Sequence, residues 1–367
     1  MSQRAHLSPA RAGGAGDGGP ASPAGARSLA ILAALALLAG GAAGCGGDDG
    51  GDGGDGGIDA GVDAIACDPT TARPLAPEVL VGPGSGGAAL EERVVAAIDA
   101  AAASIDVQMY AFTVDRVASR LVAARGRGLA VRVILDGNQV GVAETRSQLE
   151  AGGVAVRLAS PTFPNAHAKY MVLDGSAAFI LSANFTVSGF DNQRNYAVID
   201  RDPDDVADLA AIFEADWRGE AAAPGCTRLM VTPGDARTRL LALIAATTTT
   251  LEAELFYLSD SAVRQAIIGA HDRGVAVRVL LADPSDMNDN TTTATTLRGA
   301  GVAVRTLATP DVHAKLVIAD GVALIGSHNM SSTALRDNRE IGVLVRESTA
   351  ATARGQFEQD WAAATAW

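Results

Sequence analysis

The chain is written twice. "RGLAVRVIL" from Arg127 returns as "RGVAVRVLL" from Arg273, 146 residues later, and "GVAVR" from Gly153 returns from Gly301. "HAKYMVLDG" from His167 returns as "HAKLVIADG" from His313, again at 146. Downstream, "SANFT" from Ser182 answers to "SHNMS" from Ser327. Upstream, "VLVGPG" from Val79 answers to "RLMVTPG" from Arg228. The copies cover about residues 78–219 and 228–367, and "GEAAAPGC" from Gly219 joins them. Solenoid repeats have periods of 20–50 residues; a period this long is a whole domain. Two equal domains facing across a pseudo-two-fold axis bring equivalent loops together, and such interfaces are where ligand sites form.

Each copy carries the same elements. An Ala- and Leu-rich helix ("LEERVVAAIDAAAA", "ARTRLLALIAA") precedes a strand ("SIDVQMYAF", "LEAELFYL"). A second helix stops at Gly128 or Gly274. Then come a buried strand ("AVRVILD", "AVRVLLA"), another helix and a short "GVAVR" strand. Lys169–Leu173 and Lys315–Ala319 alternate into strands, each joined through an Asp-Gly turn to the next in hairpin fashion. A last strand ("RNYAVID", "REIGVLV") and a helix ending in Trp217 or Trp361 close the copy. Helices alternating with apolar strands predict two pseudo-symmetric α/β/α sandwich domains, 67–219 and 220–367, with the active site at their interface. Trp217 and Trp361 read as packing residues. The Thr runs at 247–250 and 291–296 read as a helix end and a loop.

The first 44 residues read as export signal rather than fold. Arg4, Arg11 and Arg27 precede an uncharged apolar run, "SLAILAALALLAGGAAG", that is short and rich in small residues for a membrane span. It ends in Ala42-Ala43-Gly44-Cys45, which resembles the lipobox of bacterial lipoproteins, with Ala42 where that family prefers Leu. The resemblance implies a lipidated Cys45 and an anchored or secreted protein of the cell envelope. Residues 45–66 are nearly all Gly, Asp and Ala. They cannot bury enough apolar surface to order themselves, and predict a tether. Their Asp spacing does not fit a calcium loop. Cys67 and Cys226 are an even pair in an exported chain, which makes a disulfide between them an expectation, with two free thiols the alternative.

Charge narrows the partners. The formal net charge is −13, which argues against a broad phosphate-binding surface for long DNA. Against that acidic background the basic residues are almost all Arg. Lys169 and Lys315 are the only lysines in 367 residues, and each stands two residues after a His.

That pattern, His-x-Lys-x4-Asp followed by Gly-Ser-x-Asn, twice in a chain, resembles the phospholipase D superfamily over nearly all of residues 78–367. Copy one departs from it once, with Leu181 in place of Gly. Copy two departs once, with five residues rather than six between Asp320 and Gly326. The chemistry accounts for the residue types. Phosphodiester cleavage needs a nucleophile at phosphorus, a proton for the leaving alkoxide and positive charge around the equatorial oxygens. Two imidazoles supply the first two. A Lys two residues along a strand faces the same way as its His and places a compact ammonium on a phosphate oxygen. Asn184 and Asn329 add amide donors, and Ser182 and Ser327 add hydroxyl donors to substrate.

The resemblance implies a phosphohistidine intermediate, no metal or other cofactor, a monomer, His167 as nucleophile and His313 as acid, with Asp174 and Asp320 structural. It also implies a carboxylate orienting each His. Glu340 is that carboxylate in copy two, and the aligned residue in copy one is Asn195. His167 is therefore expected to lack its carboxylate, unless Asp191 or Glu254 stands in. Tyr110 and Phe256, at equivalent strand positions, read as core residues that could also wall a cleft, and His328 as a pocket-lining candidate. The favoured function is phospholipid hydrolysis at a membrane. A nonspecific nuclease, a phosphatidyl transfer of the cardiolipin-synthase kind and an inactive phosphate-binding relative stay open.

Overall fold

The computed structural model describes residues 73–84, 89–222 and 227–367. The signal, Cys45, the tether, Cys67 and Cys226 lie outside the described residues. The first copy runs β1 (Glu78–Gly82), α1 (Leu90–Ala100), β2 (Ser104–Met109), α2 (Asp115–Gly126), β3 (Ala130–Leu135), α3 (Val142–Ala151), β4 (Ala155–Leu158), β5 (Lys169–Leu173), β6 (Ala177–Leu181), a π-helical turn (Ser188–Asn192), β7 (Gln193–Asp200) and α4 (Pro203–Arg218). The second runs β8 (Leu229–Thr232), α5 (Ala236–Ala246), β9 (Thr250–Leu255), α6 (Ser261–Asp272), β10 (Ala276–Ala282), α7 (Asn290–Gly299), β11 (Ala303–Leu307), β12 (Asp311–Val312), β13 (Lys315–Ala319), β14 (Val322–Gly326), β15 (Glu340–Val345), α8 (Glu347–Ala363) and β16 (Thr365–Ala366).

Each copy builds one mixed sheet, in the orders β1-β7-β6-β5-β2-β3-β4 and β16-β11-β10-β9-β13-β14-β15-β8. The strands β2, β3 and β4 are parallel and need helical crossovers, which α2 and α3 provide. The β5–β6 and β13–β14 pairs are antiparallel hairpins closed by Asp-Gly. One face of each sheet packs on its own three helices: Val107, Val133 and Met171 against Val94, Leu121 and Leu149 in copy one, and Ala253, Val279 and Val317 against Leu240, Ile267 and Leu297 in copy two. The other faces meet in a shared core, where Ile180 and Val198 share one apolar cluster with Ile325 and Ile341, and with Phe213 of α4 and Phe357 of α8. This is the predicted α/β/α architecture, with α4 and α8 packed in the layer between the sheets. Capping explains where α4 begins and ends. Asp202 accepts from the backbone N–H groups of Asp204 and Asp205, Pro203 opens the helix, and Gly219 ends it at φ +75°.

Two features depart from the sequence reading. Thr291–Thr296, expected as loop, lies inside α7. Thr293, Ala294 and Leu297 are buried there, and Thr295 and Thr296 satisfy their hydroxyls on carbonyls four residues back. The short strand β12 belongs to the second copy by sequence but pairs in parallel with β7 of the first, Val312 opposite Arg194. That pairing carries the second copy's chain onto the first copy's sheet immediately before His313.

Candidate active site

The Asp-Gly turns that end β5 and β13 are pinned from below. Asp174 sits at φ +54° and accepts from the N–H groups of Ala102, Ala103 and Ser104 at 2.7–2.9 Å. Asp320, at φ +47°, does the same with Thr248, Thr249 and Thr250, and adds the Thr248 hydroxyl. Burial works against both charges, but the backbone donors outweigh it. Asp174 is held below the usual carboxylate range and Asp320 is lowered to about 2. These residues tie the motif hairpin to the neighbouring strand, at the end of β5 and β13 away from the histidines.

At the other end, Lys169 and Lys315 are the first residues of β5 and β13, and both are buried. Each Nζ donates to the carbonyl of its own histidine, Lys169 to His167 at 2.6 Å and Lys315 to His313 at 2.7 Å. An ammonium has three donors, so this bond aims the head and leaves others for a phosphate. Aromatic rings flank both pairs. Tyr110 meets His167 edge-on at 4.5 Å between centroids, with Lys169 Nζ 5.0 Å from its ring centre. Phe256 and His313 lie 5.1 Å apart, with Lys315 Nζ 5.2 Å from that ring. Tyr110 and Phe256 are thus walls of the site.

The supporting groups are exchanged between the copies. Glu340 reaches His167, not His313, and its oxygens lie 2.7 and 2.9 Å from Nδ1. Asn195 reaches His313, with Oδ1 3.0 Å from Nδ1. The expectation that His167 lacks a carboxylate is therefore corrected: the residue without one is His313. Neither suggested stand-in serves. Asp191 is exposed, and Glu254 is engaged by the Tyr196 hydroxyl at 2.7 Å, with burial pushing its carboxyl up to about 8.

Ser182 and Ser327 are corrected as well. Both are fully buried. Ser182 Oγ donates to Asn195 Oδ1 at 2.7 Å and accepts from Tyr196 N. Ser327 Oγ donates to Glu340 Oε2 at 2.6 Å and accepts from Ile341 N. Each serine orients its own copy's support residue, which then crosses to the other copy's histidine. They position the site rather than face substrate. Asn338 Nδ2 adds a bond to Glu340 Oε1 at 3.1 Å. Asn195 Nδ2 is taken by the Gly189 carbonyl at 2.9 Å, so its oxygen faces His313 and the imidazole proton sits on Nδ1. A carboxylate accepts only, so His167 also carries its proton on Nδ1. Nε2 is then the reactive nitrogen in both rings.

Electrostatically the site is a buried cationic pocket around one carboxylate. Burial lowers His167, Lys169 adds to that, and Glu340 opposes it. Burial, then Lys315 and Lys169, put His313 well below an ordinary histidine. Burial brings Lys169 down to about 7, with Glu340 resisting. Glu340 is buried too, yet the His167 charge and hydrogen bond and the Lys169 charge take it to about 2, so it stays ionised. Glu340 on His167 and Asn195 on His313 bring both motifs into one site.

Of the remaining candidates, Asn184 Oδ1 accepts from Ala111 N at 3.4 Å, which turns its amide N–H groups outward, and Asn329 Oδ1 is buried without a partner among the described residues. His328 is buried beside the site, with neither ring nitrogen bonded, and burial lowers it to about 4. Trp217 and Trp361 pack, as expected: each stacks on a phenylalanine and lies under two arginines.

Two buried ion pairs went unread in the sequence. Arg194, next to Asn195, pairs with Asp360 of the other copy at 2.7 and 3.0 Å. Arg339, next to Glu340, pairs with Asp216 of the other copy at 2.8 Å. The signal was present: Arg precedes the support residue in both copies, and Asp precedes the closing Trp in both.

Comparison with known proteins identifies the family and the fold. A family model described as "Cardiolipin synthase, PLD-like domain" matches residues 94–217 and 240–361. The mitochondrial cardiolipin hydrolase of Danio rerio is 36% identical over 112 residues, 30% of this chain and 49% of that one. The protein of the same name from Canis lupus familiaris is 33% identical over 148 residues, 40% of this chain and 58% of that one. The chain thus spans about half the length of these curated relatives. Among solved structures, the phosphatidylserine synthase of Haemophilus influenzae Rd KW20 superposes with a TM-score of 0.61 at 13% identity, covering 79% of this chain and 87% of that one. A polyphosphate kinase from Porphyromonas gingivalis gives 0.61 at 16% identity, covering 77% and 46%. At these identities the likeness is one of fold.

Proposed function

This chain belongs to the phospholipase D-like family, and from that premise we propose that it is a phosphodiesterase that hydrolyses phospholipids through a phosphohistidine, without a metal. The observation that carries the reading is the crosswise support of two converging histidines, one by a carboxylate and one by an amide. That asymmetry supports one assignment of the roles. A phosphorylated imidazole is cationic, and Glu340 on Nδ1–H balances that charge, so His167 Nε2 is the nucleophile. As the P–N bond forms, the P–O bond to the leaving alcohol breaks, and His313 Nε2–H protonates the departing oxygen. Lys169 and Lys315 hold the equatorial oxygens, with Asn184 and Asn329 beside them.

Resting His313 carries only its Nδ1 proton, because burial and the charges of Lys315 and Lys169 disfavour a second. A phosphate anion entering the site offsets those charges, and Nε2 then takes up from solvent the proton that it gives to the leaving oxygen. After departure of the alcohol, neutral His313 takes a proton from water, which attacks phosphorus and frees His167. Phospholipid is favoured as substrate by the named activities of the similar proteins and by the expected lipid anchor at Cys45, whose tether would hold the site at the membrane.

The test offers the purified protein phosphatidylcholine, phosphatidylglycerol, plasmid DNA and bis-p-nitrophenyl phosphate in chelator. Lipid and bis-p-nitrophenyl phosphate hydrolysis lost in both His167→Asn and His313→Asn supports the reading. DNA cleavage alone replaces it with a nuclease, and hydrolysis of none sinks the enzyme.

A further inference from the structure

Among the described residues four large apolar side chains stand exposed, and three share one side of the candidate site. Val140 is 93% exposed, Val187 62% and Leu158 47%. The fourth, Leu75, follows Arg73, which pairs with Asp200 and Asp205 at the far end of β7. The three stand on adjoining segments. The Leu158 side chain lies 3.1 Å from where a Cβ on Gly137 would sit, in the same β3–α3 loop as Val140. That loop adjoins the site, because Asp136 accepts from Ala166 N, one residue before His167, at 2.8 Å. On its other side Gly141 abuts Thr113, a Cβ there falling 2.7 Å from the Thr113 methyl. Thr113 N in turn donates to Phe185 O at 2.8 Å, two residues before Val187 and one after Asn184. A lip that presents Leu158, Val140 and Val187, with the exposed polar Thr113 between the last two segments, therefore lies alongside the residues that carry His167 and Asn184.

We propose that this lip docks the site on a lipid surface of zwitterionic phospholipids, entering the headgroup layer. The proposal rests on the phospholipid reading above. Single exposed apolar residues are ordinary on a protein surface. Here, however, they gather beside one catalytic motif. Val140 and Val187 stand within runs that hold no charged side chain, residues 137–143 ("GNQVGVA") and 184–190 ("NFTVSGF"), bounded by Asp136, Glu144 and Asp191, while Leu158 follows Arg157. An uncharged lip on a chain of net charge −13 suits a neutral headgroup layer and is repelled by no part of it, whereas an anionic surface would oppose the rest of the molecule. The loop of the second copy after β10 carries Asp283, Asp286 and Asp289 instead. Contact is thus one-sided, through the first copy. So small a lip binds weakly and reversibly, and contact between apolar groups and lipid is not screened by salt.

The test uses the full chain carrying Cys45→Ser, so that no acyl group contributes, with phosphatidylcholine vesicles and with bis-p-nitrophenyl phosphate in solution. Val140→Asp/Val187→Asp is expected to lose roughly tenfold in sedimentation with vesicles and in vesicle hydrolysis. It should keep its rate on the soluble ester, and Leu75→Asp should behave as the parent does. Parent binding should not weaken between low and high salt. A double variant that binds and cleaves vesicles as well as the parent overturns the lip. If no protein cleaves the soluble ester, it is the phosphodiesterase reading that fails, and vesicle sedimentation still decides the lip.

Discussion

Glu340 grips a histidine that lies 173 residues earlier in the chain, in the other repeat, with carboxylate oxygens 2.7 and 2.9 Å from His167 Nδ1. The matching residue of the first repeat, Asn195, returns the contact to His313 with an amide oxygen. The two histidines are therefore unequal although their motifs read alike.

Unequal support predicts unequal loss. Glu340→Gln leaves a cationic His167 intermediate without its counter-charge and should lower kcat by about 10⁴-fold, by analogy with removing a triad carboxylate. Asn195→Ala removes only an orienting amide and should cost no more than about 10²- to 10³-fold, the range of one positioned hydrogen-bonding group. Steady-state rates on bis-p-nitrophenyl phosphate read both. Equal losses would remove the assignment of His167 as nucleophile.

Lys169 makes the reaction sensitive to alkali. Burial lowers it to about 7, and a neutral amine no longer draws a phosphate oxygen. The expected outcome is a kcat/KM that declines as pH rises through that region. Lys169→Arg should be slower, since a planar fork fits a buried ammonium site badly, and should lose the part of the alkaline limb that Lys169 contributes, while Lys315, which burial also lowers well below an ordinary lysine, keeps its own part. A pH profile of the two proteins checks this.

The motif aspartates should matter for stability and little for chemistry. Asp320 is lowered to about 2 by its backbone donors. A carboxylate whose folded pKa is depressed adds stability above its unfolded pKa of about 4, and that stability goes as pH falls toward the folded value. Asp320→Asn should therefore melt lower than the parent at neutral pH, and the difference should shrink as pH approaches 2. Thermal melts at several pH values, with activity per folded molecule held near that of the parent, are the measurement.

The ion pair between Arg339 and Asp216 joins the copies next to Glu340, and both side chains are buried. Removing one partner strands a charge. Asp216→Ala should cost about 3–5 kcal/mol, while Asp216→Ala/Arg339→Met should recover much of it. Denaturant unfolding of the parent, of Asp216→Ala and Arg339→Met singly, and of the double variant gives the coupling. Additive losses would show that the pair is not a unit.

Much of this molecule was legible without coordinates. The repeat, the order of helices and strands and the Asp-Gly hairpins all follow from periodicity and turn chemistry within a few residues, because those forces act locally. The identity of the two lysines also carried through, since side chains two apart on an extended segment face one way. The support of the histidines was not legible. Aligning the copies correctly matched Asn195 with Glu340 but assigned each to its own histidine, because alignment compares positions and does not show which strand ends meet.

The sequence by itself determined two like α/β units and the His, Lys and Asn residues that each brings to the candidate site. Only tertiary structure decided how those residues are shared. The sheets pack face to face, β12 crosses onto β7, and Arg194–Asp360 and Arg339–Asp216 bind the copies reciprocally. Those contacts bring the start of β15 under His167 and put Asn195 under His313. They turn the serines inward, so that hydroxyls predicted to meet substrate orient Glu340 and Asn195 instead. The physical reason is burial at the interface: polar groups enclosed there must find partners, and the nearest partners belong to the other repeat.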